Sequence, residues 1–253
     1  MQMGLSDKII LITGAASGIG LATARTVLNE GVGGLIVTDR DAQGLKNAAL
    51  SPALTITADL ADPAAPDMLL NAARLRFGRL DGLVNAAGLT TRASLTSGTP
   101  AIWDELFAVN ARAAFFLMQA AARDMLARAA AGSIVNILSM NAHCGAPDLA
   151  IYSATKGALA TLTRNAASAH MADRIRVNGI NLGWVATESE RRMQSVTLGL
   201  GPEWEAEAAA RMPLGRLLQA DEAARLATFL LGTASEPISG AVIDLEQKVA
   251  GAS

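Results

Sequence analysis

Seven short apolar runs rich in β-branched residues, at 8–13, 34–39, 54–58, 82–86, 133–138, 176–182 and 241–245, alternate with longer amphipathic segments rich in alanine. Runs spaced this far apart cannot be joined by tight hairpins. Each must return to the same end of a sheet through a crossover, and right-handed crossovers place helices on both faces. The pattern therefore predicts an α/β protein with a doubly wound, seven-stranded parallel sheet, and helices near 18–30, 41–50, 64–77, 99–129, 150–171 and 220–231. No linker-like stretch divides the 253 residues, so they are expected to form one domain.

Composition agrees with this layering. Hydrophobic residues make up 51% of the chain and aromatic ones only 4%, so small aliphatic side chains must fill the interior, as between helices and a parallel sheet. The net charge of −2 offers no electrostatic footprint for nucleic acid or an anionic membrane, which leaves small molecules as the expected partners. A single cysteine, Cys144, excludes an internal disulfide, and with two histidines it cannot supply a zinc cluster of ordinary composition. No run is apolar over the length a bilayer requires, and residues 1–11 have no secretory-leader pattern, so a cytoplasmic location is expected.

One connection is too long for the rhythm. Residues 186–212, between the sixth run and the last helix, mix charge, apolar residues, Gly199, Gly201 and Pro202, and are expected to form a lid over the substrate.

The first run opens directly into Thr13-Gly14-Ala15-Ala16-Ser17-Gly18-Ile19-Gly20, and Gly31 ends the helix that follows. Glycines in a strand-to-helix turn let backbone N–H groups approach a phosphate at the positive end of the helix dipole. The spacing is G-x-x-x-G-x-G rather than the commoner G-x-G-x-x-G, and its place after an N-terminal strand points to a dinucleotide pyrophosphate. Asp39 ends the second run, where a carboxylate can accept from adenosine ribose hydroxyls or cap the next helix. Its charge would repel a 2′-phosphate, so NAD is expected over NADP. Arg40 beside it can accommodate that phosphate or lie on the adenine.

The chemistry centres on Tyr152 and Lys156, four apart and so on one helix face. A phenol with a pKa of about 10 needs nearby positive charge to act as a base at neutral pH, and Lys156 is expected to supply it. Ser139, at the end of the fifth run, can share a substrate oxygen with the phenol and stabilise developing alkoxide character.

Together with Asn85-Ala86-Ala87-Gly88 and Asn110, these motifs resemble, nearly end to end, the short-chain dehydrogenase/reductase family in its NAD-preferring form. The resemblance implies a Rossmann-like fold and an oxidoreductase acting on alcohol or carbonyl carbons. By the same resemblance Lys156 also holds the nicotinamide ribose, and Asn110, inside the long helix after the fourth run, holds a water of a proton relay. Asp59 and Leu60 are implied adenine contacts, with a cap before Pro63 as the lesser reading of Asp59; residues 85–88 would lie against the adenosine ribose. Val185 and Thr187 would hold the carboxamide, with Gly183 permitting close approach. Assembly as a tetramer or dimer is implied as well. Two positions depart from the family: Leu182-Gly183 replaces Pro-Gly, which softens a turn, and Glu246-Gln247 replaces a C-terminal Gly-Gly, which can alter the assembly contact.

For substrate contacts, Asn141, His143 and Trp184 are nearest in sequence. His143 reads equally as a hydrogen-bonded structural residue and Trp184 as a core plug, and Glu188, Arg191 and Arg192 as substrate ligands or solvated helix residues. Cys144 has no evident activating partner and is expected to be small and buried. The polar character of these residues favours a sugar, polyol or other small hydroxylated substrate. A 3-oxoacyl-thioester ketoreductase using NADPH and a non-catalytic nucleotide sensor are the alternatives; the matched proton-transfer residues argue against the sensor.

Overall fold

The computed structural model describes residues 3–250. The chain begins with β1 (Ile9–Thr13), α1 (Gly18–Asn29), β2 (Gly34–Asp39), α2 (Ala42–Ala48) and β3 (Leu54–Thr57). It continues through α3 (Ala65–Phe77), β4 (Gly82–Asn85), α4 (Pro100–Phe107), α5 (Ala114–Ala127), β5 (Gly132–Ile137), α6 (Asn141–Cys144) and α7 (Ala150–His170). Then come β6 (Ile175–Leu182), β7 (Val185–Ala186), α8 (Glu188–Arg192), α9 (Trp204–Ala210), β8 (Leu218–Gln219), α10 (Ala220–Leu231) and β9 (Val242–Leu245).

The expected sheet is present, in the order β3-β2-β1-β4-β5-β6-β9 with every pairing parallel. Chain order reverses direction across the sheet between β1 and β4, and ligands of such sheets bind in the crevice outside the carboxyl ends of the strands at that point. One apolar layer packs α3, α5 and α7 on the sheet through Leu69, Ala121 and Leu159. The other packs α1, α2 and α10 through Val27, Leu45 and Leu230. Central-strand residues such as Ile12 and Val84 are completely buried, which explains why these runs read as continuously apolar instead of alternating.

Two features differ from the pattern in the sequence. The helix expected over 99–129 is one helical run interrupted by a π-helical turn at Ala108–Ala113, which no periodicity signals. The 186–212 connection is largely ordered as β7, α8, a second π turn at Met193–Thr197 and α9, with β7 paired to β8 in a separate two-stranded sheet. It folds because it has its own core, in which Ala186, Trp204, Ala208 and Leu217 are buried against Trp184 and Met212.

Candidate active site

A cleft of about 910 Å³ opens along the carboxyl ends of the strands. At one end lies the glycine turn. Gly14 has φ +69°, and a Cβ there would stand 2.8 Å from the backbone of Ala87; a Cβ at Gly20 would strike the Gly14 carbonyl. The first turn of α1 has neither a side-chain cap from Ser17 nor an acidic residue, so its backbone N–H groups remain for an anion. Thr13 links this turn to the next loop, its Oγ1 accepting from the amides of Ala86 and Ala87, each at 3.1 Å. Chemically, this is a cradle into which a pyrophosphate fits.

Gly14, Ser17, Gly18, Ile19, Gly20, Asp39, Arg40, Asp59, Leu60, Ala86, Ala87, Gly88, Gly183, Val185 and Thr187 all line this cleft. Asp39 accepts from the amides of Ala16 (3.1 Å) and Asp41 (3.0 Å), which fixes its carboxylate at the end of β2. Capping of α2 falls to Asp41 instead, through Gly44 N. Asp59 both lines the cleft and closes a turn by accepting from Ala61 N at 2.9 Å.

Asn85 is the exception among the expected cofactor residues. Its side chain points beneath the sheet, donating to Asn136 Oδ1 at 2.8 Å, because the alternation of the strand turns it away from the neighbouring loop. Only the backbone that follows it reaches the cleft.

In the middle of the cleft stand Ser139, Tyr152 and Lys156. Burial pushes the Tyr152 phenol above its ordinary value, partly countered by the adjacent Ser139 hydroxyl. The expected depression by Lys156 is therefore not present in this structure. Lys156 is itself perturbed: complete burial lowers its pKa to about 8, and Nζ donates to the Ile137 carbonyl at 2.8 Å while lying 5.8 Å from the centroid of the Tyr152 ring. Ser139 Oγ accepts from Asn141 N at 3.2 Å, which leaves its proton for the Tyr152 oxygen or a ligand.

Asn110 sits in the π turn, not at the cleft wall. It brackets Leu89, with Oδ1 accepting from Leu89 N (2.8 Å) and Nδ2 donating to Leu89 O (2.9 Å), and also donates to Thr155 Oγ1 (3.1 Å). A Cβ at Gly88 would lie 3.5 Å from both Asn110 Oδ1 and Lys156 Nζ, so the two side chains converge behind that glycine. The π turn is what directs Asn110 inward, the use such turns commonly have at functional sites.

Of the expected substrate contacts, Asn141 and Trp184 line the cleft, and Trp184 also packs on Trp204 with ring centroids 5.9 Å apart. His143 does not. Its Nε2 bonds Asp244 (3.0 Å) and Asn181 (3.0 Å), facing the last strands, the arrangement of a hydrogen-bonded structural histidine. Glu188, Arg191 and Arg192 also lie outside the cleft, and Arg191 is occupied by Glu205 at 2.8 Å. The turn of α8 presents Ser189 and Glu190 to the cleft in their place, followed by Met193 and Gln194. Cys144 is exposed, contrary to expectation, because the four-residue α6 buries none of its side chains.

Two further residues were not anticipated. Arg92 enters from the loop after β4, where no periodicity distinguishes it; its only signal was a charge in a loop at the carboxyl end of a strand. Glu246 packs over Gly183, where any Cβ would collide with its carboxylate.

A phosphate cradle leading to a buried acid/base group defines redox enzymes that carry a dinucleotide, and comparison with known proteins bears this out. Residues 14–247 match a family model described as enoyl-(acyl carrier protein) reductase. The chain is 33% identical over 251 residues to 2-(S)-hydroxypropyl-CoM dehydrogenase 3 of Xanthobacter autotrophicus, covering 97% of this chain and 98% of that one. It is 34% identical over 245 residues to gluconate 5-dehydrogenase of Gluconobacter oxydans, covering 94% and 93%. Its structure superposes on L-sorbose reductase from Gluconobacter frateurii, solved with NADPH and L-sorbose, with a TM-score of 0.91 at 27% identity over the full length of both chains. The chain belongs to the short-chain dehydrogenase/reductase family, and it is an oxidoreductase.

Proposed function

We propose that this protein is an NAD-dependent dehydrogenase/reductase that interconverts a secondary alcohol and a ketone on a small hydroxylated substrate such as a polyol or sugar. The observation that carries this reading is the placement of Ser139, Tyr152 and Lys156 in one cleft with the glycine cradle. A bound nicotinamide dinucleotide accepts or supplies the hydride.

The protein's own groups handle the proton. Burial keeps the Tyr152 phenol protonated, the state that donates to a ketone oxygen during reduction. In oxidation the phenolate takes the alcohol proton, and positive charge nearby must stabilise it; Lys156, beneath the ring, is the cation placed for this. Ser139 donates to the same substrate oxygen and stabilises its alkoxide character. Asn110, converging with Lys156 behind Gly88, is assigned the relay that returns the lysine proton to solvent.

Preference for NAD rests on Asp39, whose carboxylate is held at the cleft and would repel a 2′-phosphate. Arg40, which also lines the cleft, and the NADPH bound by the structurally similar L-sorbose reductase favour NADP. Titration with both cofactors is expected to show tighter NAD(H), and tighter NADP(H) would sink the Asp39 argument. A screen of alcohols and sugars with NAD, read as NADH absorbance, tests the reaction. Exposed Trp103, Phe115 and Phe116 on α4 and α5 support a homo-oligomer, to be checked by light scattering.

A further inference from the structure

Arg92 and Glu190 face one another in the cleft near Tyr152, and neither is needed for the proton chemistry. Arg92 Nη2 lies 3.8 Å from Glu190 Oε1, and both side chains are largely buried, at 21% and 17% exposure. Both line the cleft that holds Tyr152, and both charges act on its phenol, Glu190 raising its pKa and Arg92 lowering it.

Neither residue is fully satisfied. Arg92 Nε is buried without a hydrogen-bond partner and is 3.7 Å from Asp148 Oδ2, too far to donate to it. Glu190 Oε1 accepts from Trp184 Nε1 (2.8 Å) and Gln194 Nε2 (2.6 Å), which leaves Oε2 available. Arg92, which carries an unpaired donor, thus stands within 3.8 Å of a carboxylate held in place by Trp184 and Gln194. Buried donors left without partners are costly, so a ligand that satisfies both is selected over one that satisfies neither.

Resting on the dehydrogenase reading above, we propose that Arg92 and Glu190 form a specificity pair that selects neutral polyols and ketoses over sugar acids. A hydroxyl group can accept from Arg92 and donate to Glu190, whereas a carboxylate can only accept. The carboxylate would also meet Glu190 directly, with Asp148 and Glu105 at the rim, so the positive charge of Arg92 is already outweighed by these negative neighbours.

The test uses matched substrates that differ only at one terminal carbon, such as D-sorbitol and D-gluconate, within a panel of such pairs and NAD. The wild-type enzyme is expected to favour the polyol in kcat/KM by about tenfold or more. Glu190→Gln keeps an acceptor for Trp184 while removing the charge, and is expected to move that ratio toward the acid by about tenfold. Arg92→Lys retains the charge balance and is expected to keep the polyol preference. A wild-type preference for acids, an unchanged ratio in Glu190→Gln, or turnover confined to apolar alcohols would overturn the specificity pair while leaving the dehydrogenase reading intact. Absence of NAD- or NADP-linked oxidation of any alcohol, or reduction of any ketone, would overturn both.

Discussion

The Lys156 ammonium lies 5.8 Å from the centroid of the Tyr152 ring, and its hydrogen bond runs to the Ile137 carbonyl rather than to the phenol. The lysine is thus poised beneath the tyrosine, while the phenol itself is raised by burial. The proposed base role therefore requires that cofactor binding lower the phenol pKa.

This is directly measurable because Tyr152 is the only tyrosine in the chain. In a spectrophotometric titration of the cofactor-free protein, tyrosinate absorbance is expected only above the ordinary value of 10.0. Saturation with NAD+ is expected to move the transition to lower pH. A titration that NAD+ leaves in place would contradict the proposed base. Tyr152→Phe is expected to lower kcat by roughly 10²–10⁴-fold with folding unchanged.

Lys156 predicts a pH-dependent stability. Its pKa falls from 10.5 to about 8 on folding because burial disfavours the charged form. The unfolded chain therefore binds more protons between these values, and stability rises with pH across that window, by roughly 3 kcal/mol in total. Below pH 8 the penalty is fully present. Urea unfolding from neutral to alkaline pH, taken as the difference from Lys156→Met, is expected to show this rise; a flat difference would contradict it.

The cradle predicts opposite outcomes for two glycines. Gly20→Ala drives a Cβ into the Gly14 carbonyl, which cannot move without breaking the turn, and is expected to abolish cofactor binding as followed by NADH fluorescence. Gly157→Ala, within α7 with its nearest neighbour at 3.9 Å, has room and improves helix propensity. It is expected to stabilise the protein by about 0.5–1 kcal/mol in a thermal melt.

His143 is bonded to Asp244 and Asn181 outside the cleft. Replacing it with alanine removes the bonds to Asp244 and Asn181 and is expected to cost about 1 kcal/mol of stability. Substrate KM is expected to change by less than about twofold; a large rise would return His143 to the substrate site.

The parallel sheet, its winding and the cofactor cradle were readable from the chain alone because each depends on local signals: continuous apolar runs, glycines in a strand-to-helix turn, and a four-residue helical spacing for Tyr152 and Lys156. The substrate end was not. His143 and Arg191 are polar residues at suitable positions along the chain, but Asp244, remote in sequence, and Glu205, on the next helix, bond them outside the cleft. Asn85 was misplaced because strand alternation turned its side chain under the sheet.

What the sequence determined by itself is the scaffold and the meeting of Ser139, Tyr152 and Lys156 in one cleft, since hydrophobic period, glycine freedom and helical spacing act within a few residues. Which charges line the cleft was decided only by tertiary structure. Arg92 after β4 and Glu190 in α8 are 98 positions apart in numbering and meet through folding of the 186–212 segment, whose Trp204 and Ala208 pack with Leu217 in a core beside α8. A charge pair across such a distance has no periodic signature, because its geometry is fixed by packing rather than by the chain between the two residues.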